Sequence, residues 1–228
     1  MGKELKKALL LFAKQPIPGT VKTRLVPPLT PEQATDLYGC MLTDTISRIG
    51  SLTDVEKYLF YDGNEEAQKY FTEKTPGMTC LPQRGCGLGE RMIEALREVF
   101  ARGKGSAVII GSDSPDLPLK FIEEAFARLD KGECEVVFGP TDDGGYYLLG
   151  MTRLHRELFR EIPWSSSQVL LESVARAKGA EIGTSILTIW HDVDTPEDLK
   201  RPELLDEANN SPLTRSFLLE LLRRTAVC

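Results

Sequence analysis

Two acidic segments, residues 111–118 and 191–199, each follow an apolar run that is typical of a buried strand. Each segment places aspartates at the end of that run, just before a proline. The carboxyl ends of parallel strands lie along one edge of a sheet, and ligands bind at that edge. Magnesium is commonly held there by one or two carboxylates together with substrate phosphates. The two segments therefore predict a metal-assisted site for a phosphorylated ligand.

The aspartates within these segments are not equivalent candidates. Asp113 lies nearer the end of its strand and is the better metal ligand, whereas Asp116 suits the cap of the following helix. In the second segment, the residues after Asp194 are explained by the start of a helix, with a threonine cap and a proline in the first turn. Asp192 and Asp194 both remain candidates on pattern alone.

A basic loop follows the first predicted strand, with Lys14, Lys22 and Arg24 inside eleven residues. Its spacing is not that of a Walker phosphate-binding loop. Free amides and fixed cations in a strand-to-helix loop can still bind phosphate, and Gly19 would let the backbone approach a ligand closely. Arg24 could bind a phosphate with two hydrogen bonds, while Lys22 would act as a point charge. The alternative is a solvated basic loop.

A segment with paired glycines, residues 139–150, is a further candidate. Gly144 and Gly145 indicate a backbone that turns tightly or lies close to a ligand. Asp142 or Asp143 could bind a sugar hydroxyl. The alternative interpretation of this segment is a hairpin turn.

Residues 83–91 form a second glycine-rich candidate before a predicted helix. Gly85 and Gly87 resemble part of a dinucleotide-binding loop, but the spacing does not match that motif. A flexible loop over a nucleotide base or phosphate is the functional interpretation of this weak signal.

Composition excludes several classes of protein. The net charge of −6 argues against a nucleic-acid binder, which would carry a basic footprint. Five widely spaced cysteines and two histidines fit neither a disulfide framework nor a structural zinc site, and free thiols are typical of the cytoplasm. The apolar run near the amino terminus is too short for a signal peptide core, and no run is long enough to insert into a membrane.

Strands alternate with helices along the chain. Strands are predicted at residues 8–13, 57–61, 79–82, 107–110, 135–138, 145–150 and 185–190. Helices are predicted at residues 31–49, 65–74, 88–102, 119–131, 154–159, 168–178 and 213–224, with a further one beginning at 196. This order predicts an α/β fold of three layers, α/β/α, with a mostly parallel central sheet and helices on both faces. One domain would span residues 1–200, followed by a helical extension over 201–228.

Four motifs in this order resemble those of a known protein family. They are FAKQPIPGTVKTRL from residue 12, GSDSP from 111, GPTDDGGYYLLG from 139 and DVDTPEDL from 192. The family is an uncharacterised bacterial one placed with the nucleotide-diphospho-sugar transferases of the glycosyltransferase A fold. The same order of signals is similar to 2-phospho-lactate and molybdenum-cofactor guanylyltransferases. Gly87 stands where the family carries an aspartate.

The resemblance implies roles for individual residues. It implies that Asp113 and Asp194 hold Mg²⁺ or Mn²⁺, and it is the resemblance that selects Asp194 over Asp192. The loop after the first strand would bind nucleotide phosphates. Catalysis is assigned to Lys22, Arg24 and Asp143. Nucleotide binding is assigned to Phe12, Ala13, Lys14, Gly19, Lys22, Arg24, Gly85, Gly87, Gly144 and Gly145.

Three functions are compatible with these assignments. The first is a metal-dependent transferase that takes a nucleotide-diphospho-sugar donor and a small-molecule acceptor. The second is a nucleotidyltransferase that joins a nucleoside triphosphate to a phosphorylated small molecule and releases pyrophosphate. The third is a non-catalytic nucleotide-binding or interaction protein that docks through its amphipathic terminal helix. That helix would equally suit the core or a homodimer contact, and the residues alone barely separate the first two functions.

Overall fold

The computed structural model describes residues 6–225, which form one sheet of seven strands covered by helices. The strands are β1 (Lys7–Lys14), β2 (Val55–Asp62), β3 (Thr79–Pro82), β4 (Ser106–Ile110), β5 (Val136–Pro140), β6 (Tyr146–Met151) and β7 (Thr184–Ile186). The helices are α1 (Pro31–Gly50), α2 (Glu65–Lys74), α3 (Leu88–Ala101), α4 (Leu119–Asp130), α5 (Val169–Gly179) and α6 (Pro212–Thr225).

The strands lie in the order β3-β2-β1-β4-β6-β5-β7. Every neighbouring pair is parallel except those made by β6, which runs antiparallel to both β4 and β5. The connection from β5 to β6 spans only residues 141–145, which is long enough for an antiparallel hairpin and too short for a parallel crossover. The prediction of a mostly parallel sheet is confirmed.

Two apolar cores lie on opposite faces of the sheet. The first packs α1, α2 and α4 against one face, with Phe71 of α2 fully buried in it. The second packs α3 and α5 against the other face, with Leu96 of α3 fully buried. Helices therefore cover both faces, which confirms the predicted three-layer α/β/α architecture.

The start of α1 shows how closely local sequence determines the helix boundaries here. Thr30 Oγ1 accepts the Gln33 backbone N–H at 3.2 Å, and Gln33 Oε1 accepts the Thr30 N–H at 2.9 Å. This reciprocal capping box satisfies two amides that the helix itself leaves without partners.

The predictions for residues 185–200 are partly wrong. The last strand covers only Thr184–Ile186, and a single bridge between Thr141 and Trp190 continues the pairing. No α-helix begins at residue 196; a three-residue 3-10 helix, Asp198–Lys200, takes its place. The reason is that Asp198 Oδ2 accepts the backbone N–H groups of Asp194 and Thr195, at 2.9 and 2.6 Å, in a tight local turn.

Two smaller expectations also fail. The helix predicted at residues 154–159 is a 3-10 helix, Arg156–Phe159. Asp116 does not cap α4, because that helix begins at Leu119 without a side-chain cap. The Asp116 carboxylate instead accepts the indole N–H of Trp190 at 3.4 Å, which ties this loop to the segment that follows β7.

Helix α6 packs against α1 through a third apolar cluster. That cluster joins Leu218 of α6 to Leu25, which follows the basic loop, and to Val193, which lies between the two candidate aspartates of the second acidic segment. Asp44 of α1 also accepts the Thr214 backbone N–H at 2.8 Å and so caps α6 from outside. The predicted domain boundary at residue 200 and a homodimer contact through this helix stay predictions.

Four of the five cysteines lie within the described residues, and all four are free thiols, as expected. Cys228 lies outside the described residues. No helix among residues 6–225 is both long enough and apolar enough to cross a membrane.

Candidate functional site

A cleft of about 650 Å³ opens at the carboxyl ends of β1 and β4. This is the edge at which ligands bind in open α/β sheets. Of the predicted site residues, the cleft is lined by Phe12, Ala13, Lys14, Lys22, Arg24, Gly87, Asp113 and Asp194. Gly19, Gly85, Asp143, Gly144 and Gly145 are not among its lining residues. The basic loop and the two acidic segments thus meet in one place.

Lys22 lies at the centre of this meeting point. Its Nζ donates to a carboxylate oxygen of Asp113 and, at 2.8 Å, to Oδ1 of Asp194. The lysine side chain is 3% exposed, whereas each of the two aspartate side chains is 44% exposed. Arg24 adds a second cation, with Nη1 3.6 Å from Asp194 Oδ2. A buried ammonium therefore bridges two carboxylates that face the cleft.

The electrostatics of this group favour charge on Lys22. Burial alone would lower the pKa of its ammonium, but the neighbouring Asp113 and Asp194 outweigh burial and raise that pKa above its ordinary value. The backbone of Lys22 has a left-handed conformation, with φ 47°, directly before the 3-10 turn Thr23–Leu25. This turn leads into Leu25, whose burial in the third apolar cluster anchors the loop.

Two direct contacts join the acidic segments. The Val193 backbone N–H donates to the Asp113 carbonyl at 2.9 Å, and Ser114 Oγ donates to Asp192 Oδ1 at 2.6 Å. Burial and the nearby Asp113 raise the pKa of Asp192 to about 7. Asp192 and Asp194 therefore occupy different environments: the first is bound to Ser114, and the second faces Lys22.

Tyr38 is a site residue that the sequence analysis missed. Its hydroxyl oxygen accepts the Lys14 backbone N–H at 3.0 Å and lies 2.9 Å from Ser112 Oγ. Burial, and then the charge of Asp113, raise the pKa of this phenol to about 12, so it stays neutral. The hydroxyl thereby links the end of β1 to the residue before Asp113. Its helical spacing among apolar residues of α1 is typical of a core position and gives no sign of this polar role.

The cleft is also lined by the loop before α3 and by the first turn of that helix. Gln83 and Arg91 line the cleft here, and neither was predicted. The Gln83 side-chain amide donates to the Phe60 carbonyl at 2.9 Å, and Arg91 pairs with Asp62 at 2.9 Å. Gly87 is the residue directly before α3. These contacts attach the loop to β2 and hold it beside the cleft.

The glycine-rich segment after β5 forms the hairpin turn that was the alternative interpretation. Asp143 Oδ1 accepts from Thr141 Oγ1 at 2.6 Å and from the Gly145 N–H at 3.0 Å. Gly144 has φ +87°, and a Cβ there would overlap the Ser167 carbonyl oxygen. The carboxylate and both glycines thus build the turn. The catalytic role assigned to Asp143 stays a prediction.

Comparison with curated proteins yields no match. Among solved structures, the chain is similar to a protein from Desulfovibrio desulfuricans G20 that is provisionally named a nucleotide-diphospho-sugar transferase. The two are 28% identical over 95% of this chain and 98% of that chain, with a TM-score of 0.84. The chain therefore has the nucleotide-diphospho-sugar transferase fold.

Two more distant structures share the fold. One is molybdopterin-guanine dinucleotide biosynthesis protein A from Archaeoglobus fulgidus, 14% identical over 85% of this chain and 95% of that chain, with a TM-score of 0.52. The other is CMP:2-keto-3-deoxy-manno-octonic acid synthetase in complex with CTP, 15% identical over 85% and 95% of the two chains, with a TM-score of 0.52.

A family model matches residues 45–166, which is more than half of the chain. This stretch contains the first acidic segment and the turn after β5, two of the motifs on which the resemblance rests. The model describes uncharacterised proteins conserved in bacteria, and this chain belongs to that family, DUF2064.

Proposed function

We propose that this protein is a metal-dependent transferase that uses a nucleotide-diphospho-sugar as donor. The observation that carries the proposal is the convergence of Asp113, Asp194 and Lys22 in the cleft at the carboxyl edge of the sheet. The fold match to a provisionally named nucleotide-diphospho-sugar transferase supports the same class of enzyme. The four free cysteines are compatible with action in the cytoplasm.

The donor set fits a hard divalent cation. Asp113 and Asp194 supply carboxylate oxygens from two separate segments, and the Lys22 ammonium between them shows that the site already stabilises positive charge. Among residues 6–225, no group of three or more histidine, cysteine, aspartate or glutamate side chains could hold a metal ion. Two carboxylates completed by phosphate oxygens match the usual coordination of Mg²⁺. Bound there, Mg²⁺ or Mn²⁺ would supply charge neutralisation for a departing diphosphate.

The protein's own cations would bind the diphosphate. The Arg24 side chain is 65% exposed, so its guanidinium can offer paired N–H donors to phosphate oxygens. Lys14 and Lys22 line the same cleft and would hold the phosphates by charge. An acceptor hydroxyl would then attack the anomeric carbon and release its proton to solvent, while the anomeric C–O bond breaks and the nucleoside diphosphate leaves with the bonding electrons. These residues act by positioning and by stabilising charge.

Nucleotidyl transfer is the second candidate, and the fold neighbour in complex with CTP favours it. In that reaction a phosphorylated small molecule attacks the α-phosphate of a nucleoside triphosphate, and pyrophosphate leaves. The same carboxylates and cations would serve, because both reactions develop negative charge on a leaving diphosphate. A non-catalytic nucleotide-binding protein would bind the same ligands and form no product.

A thermal-shift panel with product analysis tests these functions. Nucleoside triphosphates and nucleotide-sugars are each added with and without Mg²⁺ or Mn²⁺, and products are followed by phosphorus NMR with candidate acceptors. We expect nucleotide-sugars to give the largest metal-dependent shift; a ligand at a hundred times its Kd stabilises by about 2.7 kcal/mol. A preference for triphosphates would instead support nucleotidyl transfer. Absence of any metal-dependent nucleotide binding would contradict the proposal.

A further inference from the structure

We propose that Lys22 is a built-in competitor for the cation, so that the site binds a metal ion tightly only when Lys22 gains another anionic partner. This inference rests on the proposed function, because it concerns the same two carboxylates. It gives Lys22 a role before catalysis, in deciding which ligands the cleft accepts. A phosphate-bearing ligand is the anionic partner that the chemistry of the cleft predicts.

The contacts of Lys22 make this competition direct. Its ammonium donates to Asp113 and to Asp194, the two residues that a shared cation would have to contact. An ammonium and a divalent cation cannot both occupy the space between the same two carboxylates, because like charges at such distances repel strongly. Metal binding therefore requires Nζ to leave at least one of them.

The burial of Lys22 makes that departure costly. With its side chain only 3% exposed, the ammonium has little access to water to replace the lost hydrogen bonds. A buried charge without a partner is strongly unfavourable, so the displaced ammonium needs a nearby anion. Lys22 itself lines the cleft, as do Lys14 and Arg24, which makes a bound phosphate the natural recipient.

Coupling between the two ligands follows from this exchange. A phosphate that accepts the Lys22 ammonium frees the carboxylates for the cation, and the cation in turn releases Lys22 for the phosphate. Such coupling is reciprocal by thermodynamic necessity. The metal alone should therefore bind weakly to the wild-type protein, and removal of the Lys22 ammonium should relieve that weakness.

A titration with Mn²⁺ alone tests the competition between Lys22 and the metal ion. Binding is monitored through the electron paramagnetic resonance signal of the free ion. We expect Lys22→Met to bind Mn²⁺ about tenfold more tightly than wild type or better, because the ammonium that competes with the ion is gone. Lys14→Met is the matched control, because it removes an equal charge from the same cleft without touching either carboxylate contact; its affinity should stay close to wild type. Equal or weaker Mn²⁺ binding by Lys22→Met than by wild type would overturn the inference.

A second measurement uses only the wild-type protein, so it does not require any variant to fold. Lysines are acetylated with acetic anhydride, and the modification at each site is measured by mass spectrometry with and without saturating Mn²⁺. Lys22 should be protected without metal and become several-fold more reactive with it, while Lys14 changes little. Unchanged Lys22 reactivity at saturating Mn²⁺ would overturn the inference but leave the metal site standing. No Mn²⁺ binding by any of the three proteins would overturn both the inference and the proposed metal site.

Discussion

Two regions of this molecule carry aspartates that are candidates for ligand binding, and these aspartates have different partners in the structure. In the first region, Asp113 and Asp194 come from distant segments and converge on Lys22 at the cleft. In the second, Asp143 bonds to its own turn, and Asp142 pairs with His191. Both regions suggest binding chemistry from residue types alone.

The difference lies in what satisfies each carboxylate. Asp143 Oδ1 accepts from Thr141 and from the Gly145 amide, so both of these partners lie within five residues of chain. Asp113 and Asp194 both accept from the Lys22 ammonium, which is distant from them in sequence, and both remain 44% exposed to the cleft. A carboxylate whose partners are local builds structure, whereas one held by a distant and exchangeable cation is available to a ligand.

The largest expected effect is a loss of turnover in Asp113→Asn or Asp194→Asn, which should distinguish the cleft from the turn region. Each variant removes one charged oxygen donor from the proposed cation site, and charge stabilisation there is worth several kcal/mol, so turnover should fall by about 10²-fold or more. Steady-state rates with the substrate identified in the ligand panel check this. Asp142→Asn is the matched control and should retain activity; a similar loss in that variant would erase the distinction between the regions.

Gly144→Ala should give the largest loss of stability in the turn region. The position requires φ +87°, and a Cβ would overlap the Ser167 carbonyl oxygen, so the free energy of unfolding should fall by about 2 kcal/mol or more. Urea unfolding measures the change. Gly39→Ala in α1 is the control, because a Cβ there meets nothing within 4 Å and alanine favours helix. Equal stability of the two variants would show that the turn tolerates the side chain.

Tyr38→Phe tests the hydroxyl that links β1 to the first acidic segment. The variant keeps the ring but leaves the Lys14 amide and Ser112 hydroxyl without this buried partner, which should cost about 1–3 kcal/mol of stability. Because these groups border Lys14 and Asp113, we also expect weaker metal-dependent ligand binding in the thermal-shift assay. Tyr70→Phe on α2 is the control. If Tyr38→Phe changed stability and ligand binding as little as this control does, Tyr38 would not belong to the site.

Asp143→Asn is expected to have the smallest effect of the four. Asparagine retains an acceptor oxygen for the Gly145 amide, so stability should fall by only about 0.5–1.5 kcal/mol. Activity should fall far less than in Asp113→Asn, because the Asp143 side chain is bound within its turn. A loss of turnover as large as that of Asp113→Asn, at unchanged stability, would show that the catalytic role predicted for Asp143 holds and that the comparison of the two regions is wrong.

Much of the fold follows from local signals in the sequence. The predicted helices at residues 31–49 and 65–74 are observed as α1 and α2, and the capping box of Thr30 and Gln33 accounts for the start of α1. Short apolar runs between helices predicted the parallel strands of the sheet. One failure came where a side chain bound backbone amides that a helix would have used. Asp198 captured the amides of Asp194 and Thr195, and a turn formed where a helix was predicted.

The site could be predicted only in part. Pattern placed Asp113 at a strand end, but the choice of Asp194 over Asp192 came from family resemblance. The hydrogen bond between Ser114 and Asp192 gives Asp192 an environment different from that of Asp194, and it spans 78 positions in sequence. The bridging position of Lys22 likewise depends on contacts 91 and 172 positions away. No local spacing rule encodes such contacts, so the residue types were predictable and their partners were not.

The most direct test of the central claim is a crystal structure with Mn²⁺ and a bound nucleotide, with the metal located by its anomalous scattering. The claim is that Asp113 and Asp194 together hold one cation beside the ligand phosphates. We expect a single strong peak within coordination distance of both carboxylates and of a phosphate oxygen, with Lys22 Nζ moved onto the phosphate. A peak that contacts neither carboxylate, or a bound nucleotide whose phosphates lie away from Lys22 and Arg24, would contradict the account.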